Sequence, residues 1–172
     1  MIEQMQIDLK RNMGLRFALN RNLVMKDKHK IAHMKSAFNY AECSTATRLQ
    51  VGCVLVKDNR IISIGYNGMP SGWTNECEET VLWKGNQQLA QPMTVSKPEV
   101  LHAETNAIAK LARSSESGDG CIAFITHQPC LDCAKLLYQA GVKEVYYAHE
   151  YRLNDGVTFL EKCGIHVEQM AL

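Results

Sequence analysis

Four residues in the second half of the chain have the types and spacing for metal chemistry. His102 and Glu104 stand in L-H-A-E-T-N, and Cys130 and Cys133 in H-Q-P-C-L-D-C-A. One imidazole and two thiolates form a donor set that suits zinc. Pro129 precedes the first cysteine where a strand is expected to give way to a helix, and proline is tolerated in a helix's first turn. Cys130 and Cys133, at i and i+3, then share one face of that turn. A helix N-terminus biases both thiols toward thiolate, the form that binds metal. Taken alone, a C-x-x-C after a strand also fits a redox dithiol or a chance pairing.

His102 favours the metal. In a layered α/β arrangement neighbouring helices start at one edge of the sheet, so His102 can meet the two cysteines in space although it is far from them in sequence. Three protein ligands leave a position for water, as in catalytic zinc sites, whereas structural sites close with four. No clear fourth ligand stands near either motif; His127, the nearest candidate, is read as a strand-end histidine that points away. Two thiolates and a neutral imidazole cancel the charge of Zn²⁺, so such a centre acidifies water less than an all-histidine one and needs a base. Glu104 is placed to take the proton and deliver it to a substrate. The combination H-x-E…P-C-x-x-C resembles the signature of zinc nucleobase deaminases.

The elements that position these residues can be read from pattern. The 172 residues suit one core-bearing domain, with 46% apolar residues, 22% charged residues and a net charge of +1. That balance argues against nucleic-acid or membrane binding. Seven cysteines, no signal-peptide pattern and no membrane-length apolar run fit a reducing cytoplasm. Residues 1–27 read as a helical extension, with Ile2, Met5, Leu9, Met13 and Phe17 on one stripe, and 28–172 as the main domain. A helix over 28–42 carries Ile31, Met34, Ala37, Phe38 and Ala41. Strands 50–57 and 60–66 form a hairpin about Asp58-Asn59. Residues 77–99 read as an insertion with at most one short helix near Val81 to Trp83. Helix 102–114, strand 121–126, helix 130–140, strand 143–148, a helix capped by Asn154 or Asp155, and strand 165–169 complete the order. The result is an α/β fold: a mixed five-stranded sheet, antiparallel at its start, between helical layers.

From about residue 30 onward the chain is similar to the deoxycytidylate (dCMP) deaminases, including phage-type members. The residues that carry the resemblance are R-L-Q-V-G-C-V-L-V, R-I-I-S-I-G-Y-N-G-M-P-S-G-W, L-H-A-E-T-N-A-I, P-C-L-D-C-A-K-L-L and A-G-V-K-E-V-Y-Y-A-H-E-Y-R. H-A-E and P-C-x-x-C belong to the whole superfamily; the G-Y-N-G-x-P-x-G loop and the insertion before H-A-E point to the dCMP enzymes. The resemblance implies a three-layer cytidine-deaminase-like fold and hydrolysis of dCMP to dUMP for thymidylate synthesis. It also implies one catalytic Zn²⁺ on His102, Cys130 and Cys133, with Glu104 as proton shuttle. Asn67, Ala103 and Gln128 would contact substrate. Asn106 would brace the site or serve structure alone. Arg48, Tyr151 and Arg152 are candidates for the substrate's phosphate or base. Members are typically hexamers activated by dCTP and inhibited by dTTP. Gly65, Tyr66, Asn67 and Gly68 would form that effector site, with Mg²⁺ accompanying dCTP. If phage-encoded, the protein would act in the host cytoplasm. Some members hold a second, structural zinc; Cys77 matches one position, but residues 78–101 contain no histidine, so no second zinc is expected.

Two other functions compete. A tRNA adenosine deaminase needs a basic face for an anticodon loop, and this chain is near neutral and ends G-I-H-V-E-Q-M-A-L. A catalytically dead zinc module that binds a nucleotide or a partner has no use for Glu104.

Overall fold

The computed structural model of the chain describes residues 25–83, 91–151 and 153–171. The stripe expected from Ile2 to Phe17 within the extension 1–27, and Arg152, lie outside the described residues. Helix α1 (Asp27–Ala41) buries Met34, Ala37 and Ala41. Ile31, expected on that face, is instead exposed.

Strands β1 (Gly52–Lys57) and β2 (Arg60–Tyr66) form the expected hairpin, paired from Gly52↔Tyr66 to Lys57↔Arg60. Asp58 and Asn59 both take left-handed backbone angles (φ 51° and 59°), the turn whose twist matches paired strands. The next strands are a correction to the sequence reading. Residues 77–99 hold no helix in their described part but a second hairpin, β3 (Glu78–Trp83) and β4 (Gln91–Ser96), paired as its own two-stranded sheet. E-E-T-V-L-W and Q-P-M-T-V-S lack apolar alternation, and among the described residues no layer covers the hairpin: Leu82 and Met93 are exposed. Pro92 is tolerated because in a two-stranded sheet every strand is an edge.

Helix α2 (Ala103–Leu111) is followed by β5 (Ile122–His127), α3 (Leu131–Gln139), β6 (Glu144–His149), α4 (Asp155–Lys162) and β7 (His166–Gln169). The main sheet has the order β2-β1-β5-β6-β7. β1 runs antiparallel to β2 and β5, while β5, β6 and β7 are parallel. The mixed five-stranded sheet expected from sequence is therefore present.

Alternation along β1 separates two cores. Val54 and Val56 pack with Met34 and Ala37 of α1, and with Phe124 and Tyr146. Cys53 and Leu55 pack with Ala103 and Ala107 of α2, Ala134 and Leu137 of α3, and Leu160 of α4. Two glycines let the helices close on the hairpin from opposite sides. A Cβ at Gly52 would lie 1.9 Å from the Ala37 carbonyl oxygen, and one at Gly65 would lie 2.0 Å from that of Ala103. Only a hydrogen fits at either position, so α2 sits at a fixed height over β2, and His102 at its start is fixed with it.

Candidate active site

The carboxyl end of β5 lies between an antiparallel neighbour, β1, and a parallel one, β6. Open α/β sheets place their clefts where the strand order reverses in this way. His102 and Cys130 are the residues at which α2 and α3 begin, both with extended backbone (φ −75°, ψ 155° and φ −69°, ψ 167°). Pro129 therefore precedes the helix rather than sitting in its first turn, and Cys130 and Cys133 occupy the cap and the third helical position. Both helices direct their N-terminal partial positive charge at one spot. Thr105 Oγ1 donates to the His102 carbonyl at 2.9 Å, closing the first turn of α2.

The three expected ligands converge. Cys130 Sγ is 3.7 Å and Cys133 Sγ 3.3 Å from His102 Nδ1. All three donor atoms lie within 4.8 Å of one another. A tetrahedral zinc with ordinary Zn–S and Zn–N lengths has nitrogen–sulfur edges of about 3.5 Å, so donor set and spacing both fit that ion. His127 is not in the cluster; its Nδ1 is 3.0 Å from Thr126 Oγ1. Hydrogen bonds from Cys133 and His102 bring the Cys130 thiol down to about 4. The Cys133 thiol, which donates to Cys130 and is buried near Glu104, is pushed far up. The bond to Cys130 also raises His102, against its burial.

Glu104 is only 4% exposed, an uncommon state for a carboxyl. Burial raises its pKa, opposed by its own backbone N–H and the His102 ring. Such a carboxyl is a better proton acceptor than one in water. It borders a cleft of about 290 Å³ together with His102, Cys130, His127 and Gln128.

The other expected residues gather around this cleft. Arg48, Asn67, Ala103, Gln128 and Tyr151 all line it. Asn67 Oδ1 accepts from Val51 N–H at 2.8 Å and its Nδ2 donates to the Leu49 carbonyl at 2.8 Å, which leaves one amide hydrogen for another acceptor. Buried Gln128 donates to Asn154 Oδ1 at 2.6 Å and accepts from Tyr151 N–H at 3.1 Å, tying the loop after β6 to the cleft. Asn106 donates to the Tyr66 carbonyl at 3.0 Å and so braces the end of β2. Gly68 and Leu101 exchange backbone hydrogen bonds of 3.1 and 2.9 Å, which anchors the residue before His102. The G-Y-N-G segment is thus built into the support of the site through Gly65, Tyr66, Asn67 and Gly68.

Sequence reasoning missed one wall. Ser96, Lys97, Pro98 and Val100, at the end of the second hairpin and just before the H-A-E motif, also line the cleft. Lys97 and Pro98 stand close enough to the motif to have signalled it, had the insertion been read as structured. Also missed was Gly156: a Cβ there would lie 2.1 Å from the Pro129 carbonyl oxygen, so the first turn of α4 presses on the backbone that carries Cys130.

Residues 27–149 match the family model described as the cytidine and deoxycytidylate deaminase zinc-binding region. The human deoxycytidylate deaminase is 38% identical over 128 residues, 73% of this chain and 67% of that protein. The phage T4 deoxycytidylate deaminase is 31% identical over 150 residues, covering 70% of this chain and 78% of its own. The chain spans 64% of another relative, the ComE operon protein 2 of Bacillus subtilis, at 36% identity over 75% of this chain. A crystal structure of the dCMP deaminase of cyanophage S-TIM5 in complex with dCMP and dUMP superposes with a TM-score of 0.74 at 46% identity, over 85% of this chain and 99% of that one. With the motif residues assembled in one cleft and the match running through most of its length, this chain belongs to the cytidine and deoxycytidylate deaminase family.

Proposed function

We propose that the chain hydrolyses dCMP to dUMP and ammonia. The observation that carries this reading is the buried Glu104 carboxyl beside the His102, Cys130 and Cys133 donors at one cleft. The cyanophage relative, whose structure holds dCMP and dUMP, supports the choice of substrate. His102, Cys130 and Cys133 would hold Zn²⁺, which when bound acts as a Lewis acid and lowers the pKa of a water molecule. Glu104 would take a proton from a water molecule and pass it to N3 of the pyrimidine as the water oxygen bonds to C4. It then moves the remaining hydroxyl proton to the amine. The C4–N bond breaks, ammonia departs, and C4 keeps the oxygen as a carbonyl. Asn67, Ala103 and Gln128 hold the nucleoside. Arg48, with Tyr151 and Arg152, takes the phosphate. Lys97, next to the Ser96 that accepts from Arg48 and 3.7 Å from Glu76 Oε2, adds a further positive charge near that end.

The reading extends to regulation. Gly65, Tyr66, Asn67 and Gly68 bind dCTP or dTTP, with Mg²⁺ accompanying dCTP, in a homo-oligomer of six chains. Its support is the resemblance of the G-Y-N-G segment. The chain acts in the cytoplasm, a reading supported by an odd count of seven cysteines, which does not suit a full disulfide framework. The test is a substrate panel on the full, zinc-loaded chain: dCMP, CMP, dCTP, deoxycytidine and an anticodon stem-loop, each with and without dCTP and dTTP, followed by ultraviolet absorbance. Loss of the cytosine band with dCMP, faster with dCTP and slower with dTTP, is expected. No turnover of dCMP with zinc and dCTP present would overturn the reading.

A further inference from the structure

The second hairpin meets the rest of the molecule at its open end, where Glu78 and Ser96 are directly paired across β3 and β4. Both residues reach to the same short segment. Glu78 Oε1 accepts from the backbone N–H of Thr47 at 3.1 Å and of Arg48 at 3.2 Å, and Oε2 accepts from Thr47 Oγ1 at 3.0 Å. Ser96 Oγ accepts from Arg48 Nη1 at 2.9 Å. The strand pair therefore grips Arg48 at both ends, by its main chain and by its guanidinium. Burial would raise the Glu78 carboxyl, but the hydrogen bonds from Arg48 and Thr47 outweigh it and hold the group below its ordinary value. It is thus ionised at neutral pH, and it accepts three hydrogen bonds from this one segment.

From this geometry we infer that the β3–β4 hairpin is a positioning device for Arg48, with Glu78 and Ser96 as the residues through which it sets the cleft's preference for a nucleotide that carries a phosphate. The inference rests on the phosphate role of Arg48 proposed above. An arginine side chain loses considerable rotamer freedom when it binds an anion. Holding it in advance removes that cost from the binding step, which is the physical use of preorganisation. Neither Glu78 nor Ser96 is required to touch substrate for this to work. Both act through Arg48, and the insertion itself becomes an element of substrate selection.

The experiment is a double-mutant cycle on the full, zinc-loaded chain, reading KM and kcat for dCMP. Glu78→Ala is expected to raise KM by about 5- to 20-fold, the range for losing hydrogen bonds to a charged group, with kcat within about twofold of the parent. Glu78→Gln keeps an amide oxygen where Oε1 stands, and so should restore most of the affinity. Ser96→Ala, which removes only the side-chain tether, should raise KM less than Glu78→Ala. In an Arg48→Ala background, Glu78→Ala should add nothing further, because the residue it positions is gone. Equal losses in the parent and in the Arg48→Ala background, or a fall in kcat with KM unchanged, would overturn the inference. An Arg48→Ala enzyme with unchanged KM removes the phosphate reading and this inference with it. A weakened Arg48→Ala enzyme beside unaffected Glu78→Ala and Ser96→Ala enzymes removes the inference alone. Thermal melting of each variant shows whether the hairpin remains folded, and Ser96→Ala decides the matter if Glu78→Ala does not.

Discussion

Gly156 lies outside every recognised motif, yet the structure makes it a sensitive position. Placing a methyl group there by Gly156→Ala puts Cβ 2.1 Å from the Pro129 carbonyl oxygen and 2.9 Å from two backbone atoms of Cys130. Ordinary contact begins near 3.4 Å, so α4 and the 129–130 backbone must separate by about 1.3 Å. No flexible side chain can absorb this, since every atom met is main chain. Overpacking of this kind costs about 1–3 kcal/mol of stability. The larger effect falls on the metal, because ligand distances tolerate only about 0.2 Å and Cys130 is one of the proposed ligands. A misplacement of about 1 Å near the chemistry can cost about 100-fold in rate. The assay pairs zinc content after gel filtration with kcat/KM for dCMP. Gly164→Ala serves as a stability control: Gly164 has φ +79° and nothing within 4 Å of a Cβ, so it should lose about 1 kcal/mol with activity intact. If Gly156→Ala matches Gly164→Ala in both zinc content and rate, the steric argument is wrong.

Glu104→Gln should lower kcat by about 100- to 10,000-fold, the usual share of a general acid–base, with zinc content unchanged; a mild loss would remove the proton-shuttle role. The same variant should be more stable than the parent when metal-free. Burial raises the Glu104 carboxyl above its unfolded value of 4.5, so the ionised group costs stability above that pH and the cost fades as pH falls below it. Melting curves of the metal-free pair should therefore diverge at pH 8 and converge below pH 4. Treating metal-free protein with iodoacetamide at pH 6 should label Cys130 first, because its thiol sits near 4 while burial holds that of Cys121 up at about 11; zinc should block the reaction, and labelling of Cys121 before Cys130 would contradict the site as drawn. Cys130→Ser should bind far less than one zinc per chain and melt earlier than the zinc-loaded parent.

The parts of this molecule legible in its sequence are those where a single physical demand fixes the residue type. The residue types of the proposed ligands and of Glu104 are those that zinc and proton chemistry would ask for, and the structure brings the three donor residues together at the starts of α2 and α3. The main sheet was legible because β1 and β5 are buried on both faces and βα units alternate regularly after residue 100. The second hairpin was not, because residues exposed on both sides carry no periodicity, and its role depends on Glu78 and Ser96 reaching a segment about thirty to fifty positions earlier. Gly156 was illegible for a similar reason: its need for a bare Cα arises from a neighbour met only in the folded chain.

The exchange between Gly68 and Leu101 is made by main chain on both sides. Leu101 is exposed, and a Cβ at Gly68 would meet nothing within 4 Å. Replacing the Leu101 side chain by that of another residue would therefore leave the tether beside His102 in place. Proline, which has no N–H to give, is the one substitution able to sever either strand of that tether.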